Sequence, residues 1–386
     1  METTDILFAL LRYAVCGEDL NKQTAEACTS ANLEAVYNLA KKHDLAHLVA
    51  HAVEGLNLPE CEALTKLKNA KMRAIYRYAR MSYEYEQISR ILEDAEVCFI
   101  PLKGSVLRGY YPEPWMRTSG DIDILVKDMD FDRAISALQN HGWKAEGPVQ
   151  YQNICLRSPN GVLLELHFNI RVKMDAADAV LDDVWKYIEP VNGKQYEVHQ
   201  TQAFFLLHHL AHMAKHILVA GCGIRPFLDL WVLTGRQDCN EAAFLELCNS
   251  AKLNRFADAA FALMNAWFGG NPHSEVSKHL ACYIIGGGVY GSLSNKVVMA
   301  QIRTGGKLKN LWNRLFVPIG EMQLMYPILK KRKWLLPVYH FVRWYQVIAS
   351  GRITKAVTEL QLNQSSSSDQ IQDAEMLIKY LGLNDK

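Results

Sequence analysis

The stretch from residue 97 to residue 126 constrains this chain more than any other. An apolar run, Val97-Cys98-Phe99-Ile100-Pro101-Leu102, breaks at Lys103-Gly104-Ser105, and a second run follows as Asp121-Ile122-Asp123-Ile124-Leu125-Val126. Both runs are short, continuous and rich in β-branched or aromatic residues, so they read as strands. Side chains alternate faces along a strand. Asp121 and Asp123 therefore point one way, while Ile122, Ile124 and Val126 fill the other face. Two carboxylates on one face repel each other unless a cation sits between them, and oxygen-only pairs suit Mg²⁺ or Mn²⁺.

The flanks have a different period. Apolar residues recur at helical spacing through Ile6-Leu7-Leu10-Leu11, Leu33-Val36-Leu39 and Leu45-Leu48-Val49. A long helix is expected from about residue 61 to 94, with Met72, Ile75, Tyr76, Ala79 and Tyr83 on one stripe. After the Asp strand a helix is expected with Asp130 as its N-cap, the acids Asp128, Asp130 and Asp132 serving capping and solvation. Strands over 151–157 and 161–170 follow, joined by Ser158-Pro159-Asn160-Gly161, whose Asn-Gly is a hairpin signal. Beyond residue 173 the pattern is helical again. Gln364-Ser365-Ser366-Ser367-Ser368 reads as a short flexible linker before a last small helix over 369–383. The expected architecture is α+β: a helical segment over 1–95, a small mixed-sheet module over 96–195, a helical domain over 196–362, and a linker with a terminal helix over 363–386.

A Gly-Ser turn that can approach a phosphate, followed by a metal-binding carboxylate pair, is the equipment of nucleotidyl transfer. The run Leu102-Lys103-Gly104, Tyr111-Pro112, Arg117 and Asp121-Ile122-Asp123-Ile124-Leu125-Val126, with Glu165-Leu166-His167 downstream, resembles the polymerase-beta-like nucleotidyltransferase superfamily. Within it, the resemblance is to a bacterial group of largely unassigned substrate, and its core covers roughly residues 96–170. The gap between Ser105 and Asp121 is longer than in compact members. The resemblance implies that Asp121, Asp123 and Glu165 hold two divalent ions, Mg²⁺ or Mn²⁺, against the triphosphate of an NTP such as ATP. It implies that Gly104 and Ser105 present backbone N–H and hydroxyl to the phosphates, with Lys103 and Arg117 as further contacts. An NMP would then pass to a hydroxyl of a small molecule, sugar or protein. Two other readings compete: a non-catalytic nucleotide-binding scaffold, and a transferase acting on RNA.

Several residues beyond the motif bear on the site. His167 shares the face of Glu165, so it either lines the cleft or makes a structural hydrogen bond. His208, His212 and His216 recur every fourth residue and share one helical face. That face can grip zinc, line the nucleotide or acceptor pocket, or simply pack. Arg225 and Asp229 follow closely, as an ion pair or as substrate contacts. Between residues 296 and 355 there are twelve Lys or Arg against one acid, Glu321, with Trp312, Phe316, Trp334, Phe341, Trp344 and Tyr345 interleaved. Nucleic acid, an anionic membrane surface, or a solvated helical face each accounts for such a mixture.

Composition sets outer bounds. The net charge of +1 gives the whole molecule no field favouring nucleic acid. No apolar run approaches the ~20 residues needed to span a bilayer. Met1-Glu2-Thr3-Thr4-Asp5 is acidic where a secretory signal wants cations, and nine scattered cysteines form no CxxC. Reduced thiols and a cytoplasmic location are the expectation.

Overall fold

A computed structural model describes residues 1–235, 240–289, 291–349 and 353–384. The architecture is α+β, one five-stranded mixed sheet embedded among helices. The strands are β1 (Phe99–Pro101), β2 (Ile122–Val126), β3 (Lys144–Ala145), β4 (Asn153–Arg157) and β5 (Leu163–His167), in the spatial order β1-β2-β5-β4-β3. Only β2 and β5 run parallel; the other pairs are antiparallel. A two-stranded ribbon, β6 (Ile188–Pro190) and β7 (Val198–Gln200), lies beyond β1.

The Asn-Gly hairpin forms, with Gly161 at φ +81° and the Ser158 N–H donating to the Val162 carbonyl at 2.9 Å. Gly is suited to that left-handed backbone because it has no Cβ to clash. The turn sets the register Arg157↔Leu163, Cys155↔Glu165 and Asn153↔His167. The helix Phe131–Asn140 connects β2 towards β3, but Asp130 does not cap it. Its Oδ1 accepts from Arg133 instead, at 2.7 Å, after a 3-10 turn over Asp128–Asp130.

Period-two alternation gives the sheet two different faces. Ile122, Ile124, Val126, Leu156, Leu164 and Leu166 pack under Phe131, Ala134 and Leu138 and against Met81, Ile88 and Leu92 of the helix Glu62–Asp94. The other face is mixed. Ile100 and Leu125 join a larger apolar cluster that takes in both Leu7, Leu10 and Leu48 from the N-terminal helices and Phe204, Leu207 and Phe227 from the later ones. The two helical flanks thus share one core, and the polar side chains of the mixed face lie beneath it.

Two expectations need correction. In the helix Glu62–Asp94 the stripe Met72, Tyr76, Tyr83 faces solvent, while Leu67, Ala74, Met81 and Ile88 are buried. The buried set repeats every seven residues, which keeps one seam inward along a 33-residue helix. Tyrosine stripes are amphipathic and tolerate water. The serine run is likewise no linker. Helices Ile353–Ser365 and Ser368–Tyr380 almost abut, with Ser366 Oγ donating to the Leu362 carbonyl at 2.6 Å and Ser367 capping the second helix through a capping box with Gln370.

Candidate active site

Parallel pairing of β2 with β5 sets Asp123 directly beside Glu165, and Leu125 beside His167. These side chains stand on the mixed face. Asp123 is buried, and its Oδ1 accepts from Lys103 Nζ at 2.9 Å and from His167 Nε2 at 3.0 Å. The same His167 nitrogen is 3.4 Å from Glu165 Oε2, which also accepts from Asn153 Nδ2 at 2.9 Å. One ligand atom each from Asp123, Glu165 and His167 lie within 4.8 Å of one another. Asp121 sits just before β2, two residues from Asp123, and is not one of that group of three.

The electrostatics follow from crowding. Burial, then the charges of Asp123 and Glu165, push the Asp121 carboxyl up to about 6. Burial would raise Asp123 as well, but Lys103 and His167 outweigh it and hold that carboxyl well below its usual range. A hydrogen bond from His167 lowers Glu165. Burial disfavours charge on His167, yet its bonds to Asp123 and Glu165 prevail and raise it. In this arrangement Lys103, joined by His167 when that ring is protonated, supplies positive charge to the three clustered carboxylates.

Lys103 reaches Asp123 from a strained backbone. Its φ of +45° and ψ of −116° are uncommon for a residue with a Cβ and cost on the order of 1–3 kcal/mol. The surroundings over-determine it: the Leu102 N–H donates to the Asp123 carbonyl at 3.0 Å, and the Leu107 N–H to the Lys103 carbonyl at 2.8 Å.

The Gly-Ser turn opens a short helix, Gly104–Leu107, but its glycine answers to packing. A Cβ on Gly104 would lie 2.9 Å from Ser119 Cβ, so the loop before Asp121 rests against the turn. Arg108 fastens the two, donating to the Gly104 carbonyl at 3.0 Å and to Ser119 Oγ at 3.1 Å. The long gap between Ser105 and Asp121 is therefore a folded wall of the site. The Ser105 N–H donates to the Leu102 carbonyl at 3.2 Å, which leaves only its hydroxyl for a ligand. Gly104→Ala should destabilise the protein by about 1–3 kcal/mol through overpacking, and adding Ser119→Gly should restore most of the loss in a thermal melt. Failure of the second change to rescue would mean that the glycine serves another purpose.

Arg117, expected at the phosphates, is committed elsewhere. Its Nε donates to Asp229 Oδ1 at 2.6 Å, where Tyr111 Oη also donates at 2.8 Å, and all three residues are buried. Arg225 does not pair with Asp229; its guanidinium donates to Asp44 Oδ2 at 2.7 Å, which Thr118 Oγ1 shares at 2.7 Å. His47 Nε2 bonds the Met116 carbonyl at 2.8 Å. Loop 111–120 is thus clamped to helices from both flanks.

A family model of uncharacterised nucleotidyltransferases matches residues 29–269, well over half the chain and every residue of the site just described. The chain belongs to that family. No curated protein matches it. Membership makes this nucleotidyltransferase a transferase that uses a nucleotide, and it leaves the donor, metal and acceptor open.

The histidine stripe borders the same site of this nucleotidyltransferase. Burial, and then the Lys103 ammonium, hold His208 down at about 3 and His216 at about 4, and depress His212 strongly. All three are neutral at pH 7. His208 Nδ1 shares a hydrogen bond with the Gln200 amide at 3.3 Å, while His212 and His216 share one between their Nε2 atoms, also at 3.3 Å. Among the described residues the group of three placed to hold a metal is Asp123, Glu165 and His167, and the stripe is not part of it.

Sequence reading missed Asn153 as the support of Glu165. The signal was present: counting back from the Asn-Gly turn places residue 153 opposite His167. Eight described cysteines are free, and Cys239 lies outside the described residues. No helix among the described residues is long and apolar enough to cross a membrane.

Proposed function

We propose that this protein transfers an NMP from an NTP, ATP first among the candidates, to a hydroxyl of a small-molecule, sugar or protein acceptor, with polymerase-beta-like use of Mg²⁺ or Mn²⁺. The observation that carries the reading is the parallel register Asp123↔Glu165, with Asp121 just before the strand and near enough to feel both charges. Burial, with the added charges of Asp123 and Glu165, raises Asp121 to about 6, and three carboxylates so placed form a donor set that suits a hard divalent cation. Asp121, Asp123 and Glu165 would hold the ion, with His167 beside it. Bound there, the metal would neutralise phosphate charge and lower the pKa of the acceptor hydroxyl.

The chain's own residues do the rest. Lys103, freed from Asp123, meets the polyphosphate as a compact positive charge. His167 orients Glu165 through the bond they share, and Asn153 fixes that carboxylate from the other side. Neutral His208 and His212 line the cleft without repelling a cation. A cavity of about 460 Å³ opens next to the turn, between Val106, Tyr110, Tyr187 and Phe205. Gln200, which bonds His208, forms part of its wall, and the cavity is of a size to take a nucleoside or acceptor, although none of the three carboxylates lines it.

Calorimetric titration of the four NTPs with and without Mg²⁺ or Mn²⁺ tests the reading. Metal-dependent binding of at least one NTP is expected. Because the metal requires Asp121 without its proton, affinity should fall as pH drops through about 6. No binding of any NTP at pH 7 would turn the weight to the non-catalytic scaffold.

A further inference from the structure

We infer that the C-terminal helices form a docking surface for an anionic lipid bilayer. The region lies outside residues 29–269, so family membership does not bear on it. Amphipathic helices ordinarily turn their apolar stripe inward. Here the stripes face out. In the helix Leu336–Ala349, the side chains of Val338, Phe341, Tyr345 and Ile348 are exposed at spacings of three, four and three, which is one helical face. Trp334, just before it, is 74% exposed. In the helix Lys307–Leu315, Leu308, Trp312 and Leu315 repeat the pattern, with Leu308 at 84%. Thirteen of the twenty-five large apolar side chains exposed among the described residues fall between 308 and 357.

The two helices are held together by their other faces. Phe316 packs on Trp344 with ring centroids 5.6 Å apart, and Arg343 donates to the carbonyls of Arg314 and Leu315 at 2.7 and 3.0 Å. Trp312 also touches Phe316 and Phe341 touches Trp344, at 4.6 and 5.2 Å between ring centroids, yet both stay more than half exposed after the helices have packed.

Charge selects the occupant. Lys330-Lys331-Arg332-Lys333 runs directly into Trp334; all four cations are exposed, and none has an ion-pair partner among the described residues. Lys296 and Arg314, by contrast, share Glu359. Arg352 and the Lys355 side chain lie outside the described residues. A second copy of the chain would bring like-charged tetrads together. Nucleic acid would use the cations and aromatic rings but leave Leu308, Val338 and Ile348 wet. A bilayer interface takes all of them: aliphatic side chains at the acyl boundary, Trp and Tyr at the headgroups, and Lys and Arg on anionic phosphates. With no membrane-crossing helix among the described residues, the surface lies on the bilayer.

The test is co-sedimentation of the full chain with vesicles of phosphatidylcholine alone or mixed with phosphatidylglycerol, at physiological salt. Binding is expected with phosphatidylglycerol and should be at least ~10-fold weaker without it. Lys330→Ala/Lys331→Ala should weaken it about 30-fold, and Trp334→Ala/Phe341→Ala by ~10-fold or more. These side chains are exposed, so circular dichroism should show unchanged folding. Equal binding to both vesicle types would overturn the inference, as would full binding by Trp334→Ala/Phe341→Ala. A single-stranded RNA bound more tightly than the vesicles would assign the face to nucleic acid. A dimer of the free protein that dissolves in Trp334→Ala/Phe341→Ala would assign it to a second copy.

Discussion

Asp123→Asn is expected to abolish metal-dependent NTP binding and to lower any nucleotidyl transfer on the order of a thousand-fold or more, while the protein stays folded. The substitution keeps the size of the side chain and one carbonyl oxygen for Lys103, so packing on the mixed face is undisturbed. What it removes is the charge at the one carboxylate that both Lys103 and His167 contact. The fold tolerates this because Asp121 and Glu165 remain to offset Lys103, and His167 can give up its proton. Mn²⁺ binding followed by electron paramagnetic resonance reads the result directly. Lys103→Ala supplies the contrasting arm. Its ammonium competes with a cation for Asp123, so its removal should strengthen Mn²⁺ binding while weakening NTP binding. Full metal-dependent NTP binding by Asp123→Asn would show that the ion sits elsewhere.

That contrast also marks how far the sequence could be read. The strand pair was legible because period-two alternation is local, and the side-by-side acids followed from it. The β4–β5 hairpin was legible because Asn160-Gly161 fixes both turn and register, which brings Glu165 and His167 onto one face. Partner choice was not legible. Lys103 finds Asp123 across 20 residues, but Arg117 finds Asp229 across 112 and Arg225 finds Asp44 across 181. Those pairings depend on how the flanks pack, which no local pattern records. The tyrosine stripe at 72–83 failed for a related reason: helical periodicity shows that a stripe exists, and burial decides which stripe turns inward. The outward-facing helices beyond residue 307 pose the same question in reverse, since their stripes are as regular as any in the core.

Asp229→Asn tests the more deeply buried of these two long-range pairings, and it should destabilise the protein by about 3–5 kcal/mol, because it leaves the Arg117 guanidinium buried without its countercharge. For a chain of 386 residues, the unfolding entropy converts that loss into a fall in Tm of about 5 °C. Tyr111→Phe should cost only about 1 kcal/mol, since Arg117 still satisfies Asp229 Oδ1. The double variant Arg117→Met/Asp229→Asn should recover most of the loss, because the buried charges are removed together. The same set of proteins separates two roles for Arg117. As a clamp, Arg117→Met lowers Tm as Asp229→Asn does, and NTP affinity follows stability in both. As a phosphate contact, Arg117→Met lowers NTP affinity with Tm nearly unmoved, and Asp229→Asn leaves affinity intact. The 2.6 Å bond from Arg117 Nε to a fully buried carboxylate favours the clamp. Its function is then to hold loop 111–120 against the helix Arg225–Thr234, so that Asp121 arrives beside Asp123 already aligned.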